Sequence, residues 1–323
     1  MELCPHRFNF SKDGQTISIP CCWSHAIDSS NPDILQAIIV VHGVLRNADE
    51  YFPHMMEAVE QVGLDPTTLV IAPQFLIAED ITAFSPGDEV LFWDEESGEG
   101  WKKGDDSIST EEHPRTASAS SFEVVDRMVE QITLKGYFPN LKDVIVIGHS
   151  AGGQFVNRYA AGTLIGDSLP KYIRLRFIVA NPSTFVYFNQ ERRLPDTTDQ
   201  FAVPESADAD YNDYKYGLDK LNPYMASTGI DTIRSSYPQK DIVYLFGGED
   251  IQEAHLEQTP NAMLQGRHRL ERGQVYYHYL KHYFGEKITE TQKIAIIPCV
   301  GHDHAAIFKS DAGMKYIFGI LPE

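Results

Sequence analysis

Gly148-His149-Ser150-Ala151-Gly152-Gly153 follows directly on Val144-Ile145-Val146-Ile147. Four β-branched residues in a row read as a strand buried on both faces. The G-x-S-x-G pattern after it puts a serine at the apex of a sharp strand-to-helix turn. Such a turn crowds the positions two residues either side of the apex, and Gly148 and Gly152 leave them small. Phe155, Val156 and Tyr159 then continue at helical spacing. The stretch marks Ser150 as a candidate nucleophile; a tight turn with a purely structural use is the competing reading.

The same grammar extends outward in both directions. Residues 1–35, punctuated by Gly14, Pro20 and Pro32, suggest an antiparallel edge hairpin. Ala37–Val41, Thr68–Ala72, Leu175–Ala180, Ile242–Phe246 and Ile294–Ile297 are further strand-like runs, with helices expected over Tyr51–Val62 and Arg267–Tyr283. Ser120-Ser121-Phe122-Glu123 fits a capping box opening another helix, whose apolar face is Phe122, Val125, Met128, Val129 and Ile132. Strands alternating with helices predict an α/β fold: a mostly parallel sheet with helices on both faces. Residues 79–117 read as a long irregular excursion, and residues 181–238, rich in Pro, Asp and Tyr, as an inserted cap over the sheet within one domain spanning 1–323.

Bulk composition narrows the function classes. Lys and Arg total 27 against 46 Asp and Glu, a net charge of −19 at neutral pH. That surface repels phosphate backbones, so nucleic acid is not an expected partner. No run reaches the roughly 20 apolar residues of a membrane helix, and no membrane association is expected. Met1–His6 lacks the basic and apolar regions of a signal peptide, which gives the cytoplasm as the expected location, with a secreted mature form as the alternative. Cys4, Cys21, Cys22 and Cys299 are too few and scattered for a disulfide framework; free, buried or half-buried thiols are expected.

A serine nucleophile needs a base within hydrogen-bond reach, and the base needs an orienting acid. In sheets of this kind such groups sit on loops at the carboxyl ends of strands, in the chain order serine, acid, histidine. Asp250 follows the strand at 242–246 and His302 follows the strand at 294–297. Asp250 is preferred to Glu249 because Gly247-Gly248 lets the loop curl back. His302 is preferred to His304 because Gly301 suits a turn that projects the next side chain. The oxyanion donors would be the N–H groups of Ala151 and of Val44, with Leu45 as the alternate, on the loop after the strand at 37–41. His42 reads as a structural hydrogen-bonder, and Arg46 and Asn47 as holding that loop. Trp93, Trp101, Phe188 and Tyr214, with Tyr211 and Tyr216, fall in the two long excursions. They are candidate substrate contacts, or they pack those loops. The H-x-H spacing of His302 and His304 could suggest a metal, but Asp303 alone does not complete the ligand set, and only the distant His42 and His149 could add to it; no metal and no cofactor is expected.

These motifs resemble the α/β-hydrolases. The carriers are Gly148–Gln154, the His42-Gly43 loop with Arg46-Asn47-Ala48, and Gly301-His302-Asp303. More narrowly the chain resembles serine hydrolases grouped near polyhydroxyalkanoate depolymerases and related esterases, through Asn181-Pro182-Ser183, Tyr214–Leu218 and Gln265–Arg269. The resemblance covers roughly residues 37–320 and implies an α/β-hydrolase fold and an esterase acting on a small-molecule or oligomeric ester. It lacks cysteines expected near two of those segments, which favours an intracellular form. Two other functions fit the same residues: a peptidase or amidase using the same triad, and a catalytically silent binding protein on this scaffold. Acyl transfer to an acceptor other than water is a third.

Overall fold

The structure is a computed structural model that describes residues 1–94, 100–134 and 136–320. Its main sheet is built from β1 (His6–Lys12), β2 (Gln15–Trp23), β3 (Gln36–Val41), β4 (Thr68–Pro73), β5 (Asp143–His149), β6 (Arg174–Ala180), β7 (Asp241–Gly247) and β8 (Gln292–Ile297). Their order across the sheet is β1-β2-β4-β3-β5-β6-β7-β8. From β4 to β8 every neighbouring pair is parallel. β1 and β2 form the expected antiparallel hairpin, closed by Asp13 and Gly14, both at positive φ, and β2 runs antiparallel to β4.

Apolar residues on both sides of each inner strand follow from burial on both faces. Along β5, Val144 and Val146 join one core while Ile145 and Ile147 join the other. The first face is covered by α2 (Ser121–Leu134), α3 (Ala151–Gly162) and α4 (Arg269–Phe284), through Phe122, Phe155 and Tyr276 among others. The second is covered by α1 (Ala48–Gln61) and α5 (Asp311–Phe318), through Met55, Val59 and Ile317. Helix α1 opens at Ala48 rather than Tyr51 because the Asn47 carbonyl already accepts from the N–H groups of Glu50 and Tyr51. At α2 Ser120 caps the helix without forming the box. Ser120 Oγ accepts from Phe122 N–H at 3.1 Å, while Glu123 turns to Lys12 and Arg127 instead of reaching back.

Two expectations are corrected. Cys4 and Cys22 are not free thiols but a disulfide, since the chain entering β1 lies against the end of β2 with their Cα atoms 5.1 Å apart. Cys21 is a buried thiol whose pKa is raised by burial, and Cys299 is exposed. Residues 79–117 are less irregular than expected. They continue a helix over Ala78–Phe84, pair Phe92–Trp93 with Leu76–Ile77, and make a short turn of helix at Gly100–Lys103; positions 95–99 lie outside the described residues. The 181–238 segment carries the helices Pro223–Thr228 and Ile230–Ser236 and the paired strands Arg192–Arg193 and Phe201–Ala202. Its residues Phe185–Phe188 are fully buried, with Phe185 stacked on Tyr276 of α4.

Candidate active site

The turn from β5 into α3 is forced by close approach. A Cβ at Gly148 would overlap the Gly152 carbonyl, and one at Gly152 would overlap the Val41 carbonyl at the end of β3. Ser150, between them, takes φ 59° and ψ −118°, a strained conformation for any residue with a side chain. It is held there by its N–H donating to Ala180 O at 3.0 Å, at the end of β6. The turn thus lifts Ser150 Oγ out at the carboxyl end of the sheet.

Two distant strand ends meet it. His302 Nε2 lies 2.9 Å from Ser150 Oγ, and His302 Nδ1 lies 2.7 Å from Asp250 Oδ2. An ionised carboxylate only accepts, so Nδ1 carries the proton and Nε2 is left to accept from the serine hydroxyl. Asp250 is fully buried, and its carbonyl accepts from Leu270 N–H in the first turn of α4. Glu249 is exposed, and its N–H donates to Val300 O. His304, the other histidine of the terminal loop, stacks on Tyr51 at 3.8 Å between ring centres and shares a proton with His54 at 2.8 Å. Burial and the neighbouring His54 push its pKa down to about 4.

Behind His302 sits a second imidazole, which the sequence offered only as a distant metal ligand. The His149 ring is 4.4 Å from that of His302 and is buried. Asn181 fixes its tautomer. Asn181 Oδ1 accepts from Gly247 N–H at 2.9 Å, so its Nδ2 faces His149 Nε2 at 3.3 Å and donates to it. That leaves His149 Nδ1–H to donate to Tyr51 Oη at 3.1 Å. Burial, then the nearby His302 and His304, hold the His149 pKa well below its ordinary value, so the ring is a neutral support. A positive-φ asparagine directly after a strand was the available signal, since few residue types tolerate that conformation.

The loop after β3 forms one wall. His42 is buried, with Nδ1–H donating to Gly43 O and Nε2 accepting from Phe75 N–H; burial lowers its pKa to about 4. Arg46 pairs with Asp80 at 2.6 Å and donates to Val44 O, and Asn47 donates to Glu50. Val44 lines both hollows that meet at Ser150. One, of 240 Å³, is bounded by Leu45, Glu50, Tyr51 and His302; the other, of 280 Å³, by Lys102, Ala151, Gln154, Ser183 and Leu256. His255 stands between them and lines both. As the first residue of α3, Ala151 has an N–H with no acceptor inside the helix, free to serve an anion at the helix N-terminus.

The four aromatic candidates line neither hollow. Trp93 and Phe188 are fully buried: Trp93 Nε1–H donates to Asp105 O, and Phe188 packs on Tyr237 and Phe284. Trp101 stacks on Phe75 and meets His42 edge-on. Tyr214 Oη–H donates to Lys103 O. The structure spends these rings on packing and on fastening the excursions, and Lys102, beside Trp101, lines the cleft. Among the described residues no three His, Cys, Asp or Glu side chains gather as a metal-ligand set, and no helix is long and apolar enough to cross a membrane.

No protein-family model matches the chain, and no curated protein matches it. Solved structures do. The poly(3-hydroxybutyrate) depolymerase LpqC from Bordetella parapertussis superposes with a TM-score of 0.61 at 21% identity, over 98% of this chain and 91% of that one. Poly(aspartic acid) hydrolase-1 from Sphingomonas sp. KT-1 superposes with a TM-score of 0.59 at 23% identity, over 98% of this chain and 100% of that one. At these identities the likeness speaks to architecture, and the architecture of this chain is the α/β-hydrolase fold.

Proposed function

We propose that this chain is a serine hydrolase that cleaves carboxylic esters, of small molecules or of oligomers, through an acyl-enzyme on Ser150. One observation carries the reading: the unbroken line Ser150 Oγ–His302 Nε2, 2.9 Å, and His302 Nδ1–Asp250 Oδ2, 2.7 Å. His302 takes the hydroxyl proton as Ser150 attacks the substrate carbonyl, and Asp250 stabilises the imidazolium that forms. The N–H groups of Val44 and Ala151 receive the charge that develops on the carbonyl oxygen. His302 then returns the proton to the departing alkoxide, and a water activated by the same imidazole releases the acid. Esters are preferred to amides because an alkoxide needs less help in leaving than an amine.

The two similar structures, by their names a depolymerase and a poly(aspartic acid) hydrolase, support hydrolysis as the reaction class. Two hollows meeting at the serine suit a substrate with groups on both sides of the scissile bond. The Cys4–Cys22 bond favours an oxidising compartment over the cytoplasm. A fluorophosphonate probe tests the core of the reading. It should label the wild-type chain and leave Ser150→Ala unlabelled; equal labelling of both, or of neither, rejects it. Paired ester and amide substrates with a common acyl group then decide the bond cleaved.

A further inference from the structure

Asp250 uses one carboxylate oxygen on His302. The other, Oδ1, is buried and receives no hydrogen bond among the described residues. The group facing it is a cation. Arg269, the first residue of α4, has a side chain 1% exposed and brings Nη1 to 3.6 Å from Oδ1. The same guanidinium donates from Nη1 to Gln252 O at 3.2 Å and from Nη2 to Ala254 O at 2.7 Å. Burial lowers the Arg269 pKa, and Asp250 opposes that shift.

Two consequences follow from this placement. A carboxylate with no solvent exposure is costly to bury unless a countercharge stands near it, and the Arg269 guanidinium is that countercharge. The arginine also fastens residues 252–254, the stretch that delivers His255 to the cleft. Building on the serine-hydrolase reading, we infer that Arg269 is a positioning residue, acting through Asp250 to hold the triad acid in place and aimed at His302. It touches no reacting atom itself.

A double-mutant cycle read by the fluorophosphonate labelling rate separates this role from mere support of the fold. Arg269→Met is expected to slow labelling by about tenfold or more when Asp250 is present. In the Asp250→Asn background the same change should cost nothing or speed labelling, because there is no carboxylate left to serve. A second readout is the downfield proton resonance of the His302–Asp250 hydrogen bond, which should move in Arg269→Met. Equal fold-losses in both backgrounds, with that resonance unmoved, overturn the proposal. Should Arg269→Met fail to fold, Arg269→Lys replaces it. That variant keeps the cation and should label within about threefold of wild type; a folded lysine variant as slow as Asp250→Asn also overturns the proposal. The wild-type and Ser150→Ala controls come first. If they fail, the serine-hydrolase reading falls; if they hold and the cycle is additive, only the role of Arg269 falls.

Discussion

Asp250→Asn is the sharpest single perturbation, because the structure dictates which way the new amide must face. Its oxygen will turn to the Arg269 guanidinium, which sits 3.6 Å from Oδ1. Its NH2 group then faces His302 Nδ1, where Oδ2 now lies at 2.7 Å. Two donors cannot share that contact, so the imidazole moves its proton to Nε2. Ser150 Oγ then faces an N–H instead of a base. Returning to the productive tautomer sacrifices a buried hydrogen bond, about 1–3 kcal/mol. The transition state also loses its countercharge. At an effective dielectric of about 20, an imidazolium and a carboxylate 2.7 Å apart attract by ~6 kcal/mol, part of which Arg269 offsets. Together these put the loss near 5–6 kcal/mol, about 10⁴-fold in kcat, the scale seen when a triad acid is neutralised. The assay is kcat and kcat/KM on a chromogenic ester at pH 7, with circular dichroism to confirm the fold. A fall of less than about 100-fold would mean that the tautomer argument is wrong.

Cys4→Ser with Cys22→Ser opens a loop with a sequence separation of 18, which should cost about 3 kcal/mol. Urea midpoints that coincide with and without the bond would contradict this. Phe188→Ala should cost about 3–5 kcal/mol of stability and leave KM unchanged in the folded protein; a raised KM at wild-type stability would return Phe188 to the substrate site. Acid should destabilise the fold through its buried imidazoles. His42 and His304 are each held down to about 4, whereas an unfolded histidine titrates near 6.5, so the unfolded chain binds more protons between those values. Stability is therefore complete above that window and falls as pH drops through it, by about 3 kcal/mol for His42 alone. Urea midpoints at pH 7 and pH 4.5 measure the fall, and equal midpoints would refute it.

The parts of this molecule that were readable in its sequence are those governed by local sterics and periodicity. Val144–Ile147 had to be a strand buried on both faces, and the glycines flanking Ser150 had to leave room for a turn. Asp250 and His302 were legible because chain order and strand ends restrict where an acid and a base can stand. What depended on a partner remote in sequence was not legible. Cys4 meets Cys22 only because the chain entering β1 passes the end of β2. Arg269 was legible as part of a helix and of a family-like segment, but nothing local says that its guanidinium reaches Asp250. The aromatic candidates were ambiguous for the opposite reason: a ring that suits a cleft also suits a core, and Trp93 and Phe188 lie in the core.

Convergence of three strand ends does not by itself explain why the distances come out near 2.8 Å. Asn181 supplies part of the reason. It closes β6 at φ 44° and donates its N–H to Leu245 O in β7. Its side chain reaches Gly247 at the end of β7 and His149 at the end of β5, with Gly301, beside His302, 3.4 Å away. One amide thus touches the chain next to each of the three elements that carry Ser150, Asp250 and His302. The same contacts hold His149 neutral. A proton on its Nε2 would confront the Asn181 NH2 group and place a positive charge against the ring of His302, at a distance of 4.4 Å between ring centres. An imidazolium on His302, as the proposed acyl transfer requires, would have its neighbours arranged by sign: a neutral ring behind it, a carboxylate at Nδ1, and an arginine beyond that carboxylate. In the proposed reaction, proton transfer from Ser150 would move one charge within a frame whose other charges are already fixed, and this preorganisation is where a buried polar network can lower a barrier.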